Sequence, residues 1–176
     1  MEFRNLTDTE IGILEGNGCH AENWSDIHVS AKFQTGRVSN VHFSGTVQIG
    51  DLDGLVKSPY GGEHPAMIRN CMIEDVIIGN NVFLSGVRFL KSYRLGDRVW
   101  IRNVGNLSTT GETTFGNGVQ LDVLNEAGGR ELIIFEGLSA QLAYLLVLYR
   151  HDEKLIGVLE KLIREYADSR KSDKGK

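Results

Sequence analysis

The segment from Asn125 to Glu131 reads NEAGGRE and gathers an amide, two carboxylates and a guanidinium around two glycines, between apolar runs. Paired glycines let backbone N–H groups come close to a ligand. Arg130 would grip a phosphate or carboxylate with two prongs, and Glu126 or Glu131 would accept a hydroxyl of ribose or another sugar. Asn125 completes this ligand-binding set. The same residues also suit a plain turn, with Arg130 paired to one of its own glutamates. Five histidines, His20, His28, His42, His64 and His151, are the other groups that can exchange a proton near neutral pH. Cys19 and Cys71 stand outside any CxxC spacing and read as buried, reduced thiols. The chain carries no phosphate loop, no dinucleotide fingerprint, no GxSxG elbow and no zinc-ligand spacing, so no metal site is expected.

The elements that would position these groups are announced by glycine. It supplies 21 of 176 residues, against an average share of about 7%, while there are only two prolines. From Met72 the chain falls into sixes: MIEDVI, IGNNVF, LSGVRF and LKSYRL. After one dropped residue come LGDRVW, IRNVGN and LSTTGE; after two extra residues come FGNGVQ and LDVLNE. The first position is apolar throughout and the fifth is often valine or glycine. A helix repeats every 3.6 residues and a strand every two. A period of six suits a short strand followed by a sharp corner, with the glycine and polar pair making the corner. Three corners would close a coil of about 18 residues, and such coils would stack at the roughly 4.8 Å spacing of paired strands. Gly79 and Gly96 are the expected corner positions. Two ordinary hairpins with NN and GD turns are the alternative.

This pattern resembles the hexapeptide-repeat, left-handed β-helix superfamily, which includes sugar-nucleotide acyltransferases. A wider resemblance covers most of the chain. The stretches RNLTDTEIGILEGNGCHAENWSDIHVS and VLNEAGGRELIIFEGLSAQLAYLLVLYRH, with the IGNNV core, are similar to the N-terminal part of a Bacteroidetes-type family labelled UDP-N-acetylglucosamine-pyrophosphorylase-related. The resemblance implies a mostly β fold: a short left-handed parallel β-helix with an N-terminal capping helix and a C-terminal helical pair. It implies a transferase-like activity on a sugar nucleotide or acyl-CoA, with a histidine as general base. His42, within the early repeat, and His64, on a projecting loop, are the catalytic candidates. Acyl transfer fits better than nucleotidyl transfer, because YGGEHP lacks the basic residue and the setting of a phosphate loop. A non-catalytic scaffold or oligomerisation module is the alternative.

The expected organisation is an N-terminal helix and cap over 1–37, the repeat over 38–135 with a loop at 58–66, a helical pair over 136–170 and a tail at 171–176. Thr7 and Glu10 form a T-x-x-E capping box for the first helix. SAQLAYLLVLYRH, apolar nearly all round, reads as a buried helix. DEKLIGVLEKLIREYADS carries one stripe of Leu155, Ile156, Leu159, Leu162, Ile163 and Tyr166. A net charge of −4 argues against a nucleic-acid partner, and no apolar run is long enough to span a bilayer. A cytoplasmic protein is expected, forming a homo-oligomer.

Overall fold

Val, Ile and Leu recur at inward positions of short strands, and this recurrence builds most of the molecule. The computed structural model describes residues 2–122, 128 and 131–175. In chain order the described elements are β1 (Arg4–Asn5), α1 (Asp8–Gly16), β2 (His20–Ala21), β3 (Ile27–Val29), β4 (Val38–Ser44), β5 (Val47–Ile49), β6 (Leu55–Lys57) and β7 (Glu63–Pro65). There follow β8 (Met67–Glu74), β9 (Ile77–Ile78), β10 (Phe83–Lys91), β11 (Arg94–Leu95), β12 (Trp100–Ser108), β13 (Val119–Leu121), β14 (Leu132–Ile134), α2 (Ala140–Leu148) and α3 (Glu153–Ser169). Two units result. The first runs to Thr110 and includes Lys174 and Gly175; the second is Gly111–Asp173.

In the first unit one sheet has the order β12-β10-β8-β4-β2 and is parallel throughout. The other has the order β1-β3-β5-β9-β11, and β1 joins it antiparallel. Inward side chains line up across strands. Phe43, Ile73, Leu90 and Leu107 form one row, and Ile68, Leu84 and Ile101 another. Phe43, Ile68, Ile73, Leu84 and Leu90 are at most 1% exposed, whereas Ile101 and Leu107, on the last strand, are only half-buried. Capping follows the sequence. Thr7 accepts from the Glu10 N–H and the Glu10 carboxylate accepts from the Thr7 N–H. Leu14 is buried against the sheets, while Ile13 is exposed.

Bends within the long strands sit at matching positions. Asn40, Asn70, Gly86 and Asn103 all have positive φ and stand side by side, and Asn40 donates to Asn70 Oδ1 at 3.2 Å. Asparagine and glycine tolerate this left-handed backbone best. The polar pairs of IGNNVF and LGDRVW serve the same end. Asp51 N–H donates to Asn80 Oδ1, Gly54 N–H to Asn81 Oδ1 and Asn80 N–H to Asp97 Oδ1. Positive φ falls on Asn81 and Arg98 rather than on the expected Gly79 and Gly96. Gly79 is small for another reason: a Cβ there would lie 2.6 Å from the Gly96 carbonyl group, whereas one on Gly96 would meet open space.

The expected left-handed parallel β-helix over 38–135 is corrected by the sheet topology. The strands divide among four sheets, one mixed and two of them antiparallel pairs, with three α-helices among the described residues. The arrangement is of α/β type and is not a single coiled solenoid. Six-residue spacing of apolar residues marks inward side chains such as Ile78, Leu84 and Leu90 but also the exposed Met72, Phe115 and Leu121, and it does not specify which strands pair. FGNGVQ and LDVLNE keep the spacing, yet β13 pairs antiparallel with β14, Val119 opposite Ile134. The 58–66 segment supplies the turn and second strand of an antiparallel hairpin, β7 pairing with β6 before it.

The second unit is sparsely buried. Ile133, Leu146 and Ile163 form its core, with Leu132, Phe135, Leu138, Leu142, Ile156 and Leu159 against it. Ser139 and Asp152 cap α2 and α3. The expected burial of α2 is not found: Tyr144 is 64% and Leu148 50% exposed. The single stripe on α3 also divides, since Leu155 and Leu162 are exposed while Ile156, Leu159 and Ile163 pack inward. At 100° per residue the apolar arc from Val158 round to Ala167 spans about 180°, more than a two-stranded pair and a short helix cover. Beyond α3, Ser172 pairs with Thr113. Gly175 then bonds between Ser92 O and Arg94 N–H in the first unit, parallel to Tyr93.

Candidate functional site

Residues two apart on a strand share a face. On the outer face of the parallel sheet, Met67, Phe83 and Trp100 occupy one row, and Ser39, Arg69, Ser85 and Arg102 the row two residues on. Phe83 and Trp100 lie on adjacent strands about 4.8 Å apart, which sets their rings parallel: centroids 3.8 Å apart, interplanar angle 3°. The β6–β7 hairpin folds over this stack and brings the His64 ring 5.1 Å from Trp100 and 6.1 Å from Phe83, edge-on to both. Phe83 is thereby 4% exposed, whereas Trp100, on the last strand of the sheet, is half-buried. One indole face meets Phe83; among the described residues no strand of the sheet follows on the other side.

Two guanidiniums neighbour the stack. Arg69 Nε donates to Ser85 Oγ at 3.0 Å, which fixes one arginine against the sheet. The Arg102 side chain, exposed, has no hydrogen-bond or ion-pair partner among the described residues. Their Cα atoms lie roughly 10 Å apart across two strand spacings, and Arg102 stands about 6.6 Å along β12 from Trp100. An indole that stacks a planar ring, beside cations that take an anion, is a chemically coherent pairing.

Of the expected site residues, His64 belongs to this cluster. His42 does not: it is exposed and aligned with His20 and Met72, beyond the bend at Asn70. Glu131 lies in the second unit, half-buried at the wall of a cavity. Asn125, Glu126 and Arg130 lie outside the described residues. Both cysteines are buried, and desolvation raises their thiol pKa values, which disfavours the reactive thiolate. No group of three or more His, Cys, Asp or Glu able to hold a metal occurs among the described residues. Phe83, Trp100, Arg69, Ser85 and Arg102 were not singled out from the sequence. The signal was present in the repeat, because IGNNVF and LGDRVW both end in an aromatic residue, 17 positions apart, the offset at which β10 and β12 align.

The chain belongs to the family described as a domain of unknown function, DUF4954, whose profile matches residues 3–176. A relative from Treponema pallidum (strain Nichols), described as an uncharacterized protein, is 26% identical over 180 residues. That match covers 96% of this chain and 25% of the relative, so the chain spans about a quarter of the relative's length. No solved structure matches. No helix among the described residues is long and apolar enough to cross a membrane.

Proposed function

We propose that the outer face of the parallel sheet binds a sugar nucleotide or acyl-CoA and that the chain is the ligand-holding module of a transferase-like cytoplasmic protein. The observation that carries this reading is the parallel Phe83–Trp100 stack with Arg102 beside it, whose side chain has no partner among the described residues. Both ligand classes combine a planar base with phosphates. The base extends the aromatic stack from Trp100, and a phosphate takes Arg102, with Arg69 behind it. His64, beside the indole, is the group placed to accept a proton from a bound hydroxyl or amine. The resemblance to proteins labelled UDP-N-acetylglucosamine-pyrophosphorylase-related supports the same ligand class.

Ligand that binds only the folded state stabilises it. UDP-N-acetylglucosamine or acetyl-CoA at about 100 times its Kd should add about 2.7 kcal/mol and raise Tm by several degrees. No shift with either compound, nor with a panel of related nucleotides, overturns the reading. A second reading, a scaffold that forms homo-oligomers, draws on the exposed Leu148, Val158 and Leu162. Light scattering that shows only monomer counts against it.

A further inference from the structure

From Gly137 to Tyr149 the chain carries no charged side chain, and α2 is apolar nearly all round. Leu146 packs with Ile133 and Ile163, with Leu142 beside it, and this occupies one side of the helix. The other side is open: Tyr144 is 64%, Leu148 50%, Leu145 43% and Val147 43% exposed. Ala140, Tyr144 and Leu148 follow one another at intervals of four and make one ridge; Gln141 and Leu145 make the next. A shallow apolar groove lies between the two ridges, lined by Ala140, Gln141, Tyr144 and Leu145. The exposed apolar residues of α3 are set differently. Lys154, Lys161 and Glu165, all exposed, stand three or four residues from Val158 and Leu162 and keep that surface wet.

We propose that the open face of α2 pairs with the same face of a second copy of the chain, across a two-fold axis at Tyr144. The proposal rests on the second reading above, in which the chain forms homo-oligomers, and it assigns that assembly its contact. Charge narrows the occupant. A face without charges offers nothing to an acidic or a basic peptide, and α2 has no basic polar side of the kind that holds a helix on a membrane surface. Its own copy matches it. Across a two-fold axis at Tyr144 the helices run antiparallel, so the bulky Leu148 of each copy falls on the small Ala140 of the other. The ridge of one copy then enters the groove of the other, and the Tyr144 rings meet at the axis. Area agrees with this. With its side chains about half exposed, the face offers roughly 500 Å² per copy, so a pair would bury about 1,000 Å², the threshold of a specific interface.

An interface of that size makes a reversible dimer. Sedimentation velocity of the whole chain between about 1 and 200 μM should show monomer and dimer in exchange, with a Kd of about 10 μM. Tyr144→Asp should raise that Kd at least about tenfold. Its circular-dichroism melting curve should stay unchanged, because the side chain it replaces is mostly solvated. A cysteine scan supplies an arm that does not depend on that variant folding. A short bismaleimide should join Tyr144→Cys chains in pairs but not Val158→Cys chains, although the two positions are comparably exposed. Cys19 and Cys71 are buried and do not compete. A dimer that Tyr144→Asp leaves unchanged, or equal crosslinking at the two positions, overturns the inference while the homo-oligomer reading stands. Monomer at every concentration overturns both. A monomer that floats with phosphatidylcholine vesicles also overturns the inference and gives the face to a membrane.

Discussion

Leu84 and Leu162 are the same residue in different surroundings. Leu84 stands in a row between Ile68 and Ile101, strand upon strand, and is fully buried; Leu162 stands on α3 and is 56% exposed. In the first unit a parallel ladder fixes each inward side chain against a neighbour of matching position, and left-handed bends at Asn40, Asn70, Gly86 and Asn103 hold the rows in line. In the second unit a wide apolar arc meets too little protein. The difference teaches that the first unit is built to hold outward groups at fixed spacing, as a stacked aromatic pair and two arginines need. The second is built with apolar surface to spare, which suits contact with another molecule.

The comparison breaks most readily at those two leucines. Leu84→Ala should cost about 2–5 kcal/mol, because a fully enclosed side chain leaves a cavity behind. Leu162→Ala should stay within about 0.5 kcal/mol. Urea unfolding followed by tryptophan fluorescence reads the first unit, since Trp24 and Trp100 both lie there. Circular dichroism at 222 nm reads chiefly α2 and α3, the longer share of helix. Equal losses for the two variants would dissolve the contrast.

The next test concerns backbone approach. Gly79→Ala should cost about 1–3 kcal/mol, since its Cβ must displace the Gly96 carbonyl of the neighbouring strand. Gly96→Ala, facing open space, should cost a few tenths. A larger loss at Gly96 than at Gly79 would place the tight contact on the wrong strand.

These glycines show how far the sequence could be read. The repeat of six named the inward residues in part: Val76, Ile78, Val82, Leu84, Leu90 and Leu95 are buried, whereas Met72, Phe115, Val119 and Leu121, at equivalent repeat positions, are 47%, 43%, 48% and 41% exposed. It also marked the glycine and polar pairs as structural, but not which member turns left-handed: Asn81 adopts that backbone with its side chain accepting from the Gly54 N–H, and Arg98 with its own N–H on the Asn80 carbonyl, partners a spacing rule does not contain. Pairing was less legible still. FGNGVQ has the spacing of IGNNVF, and only the position of its partner in space makes β13 antiparallel. On the helices, 3.6-residue periodicity gave the apolar stripe of α3 but not how much of it finds cover. The aromatic pair was visible as two similar words, and its meaning required the register of β10 on β12.

A smaller effect sits at the first helix. The Arg4 guanidinium, bonded to both Glu10 oxygens, holds the Glu10 carboxyl at a pKa of about 2, with the Thr7 N–H and hydroxyl adding to it. A carboxyl held low stabilises the folded state fully above its ordinary value and loses that contribution as pH falls from about 4.5 toward 2. With Arg4 41% exposed, solvent screening limits this to under about 1 kcal/mol. Arg4→Gln should flatten this part of the pH–stability curve and move the Glu10 carboxyl signal, read by NMR, back toward the ordinary carboxylate range.

The proposed ligand face is tested most directly by the fluorescence of Trp100 itself. In Trp24→Phe protein it is the sole tryptophan, and titration with UDP-N-acetylglucosamine or acetyl-CoA should quench it saturably as the base stacks on the indole. Adding Arg102→Ala should weaken that binding by about tenfold, or 1.4 kcal/mol, without altering the unquenched spectrum. Fluorescence unchanged by either compound, or quenching that is the same with and without Arg102, would contradict the account.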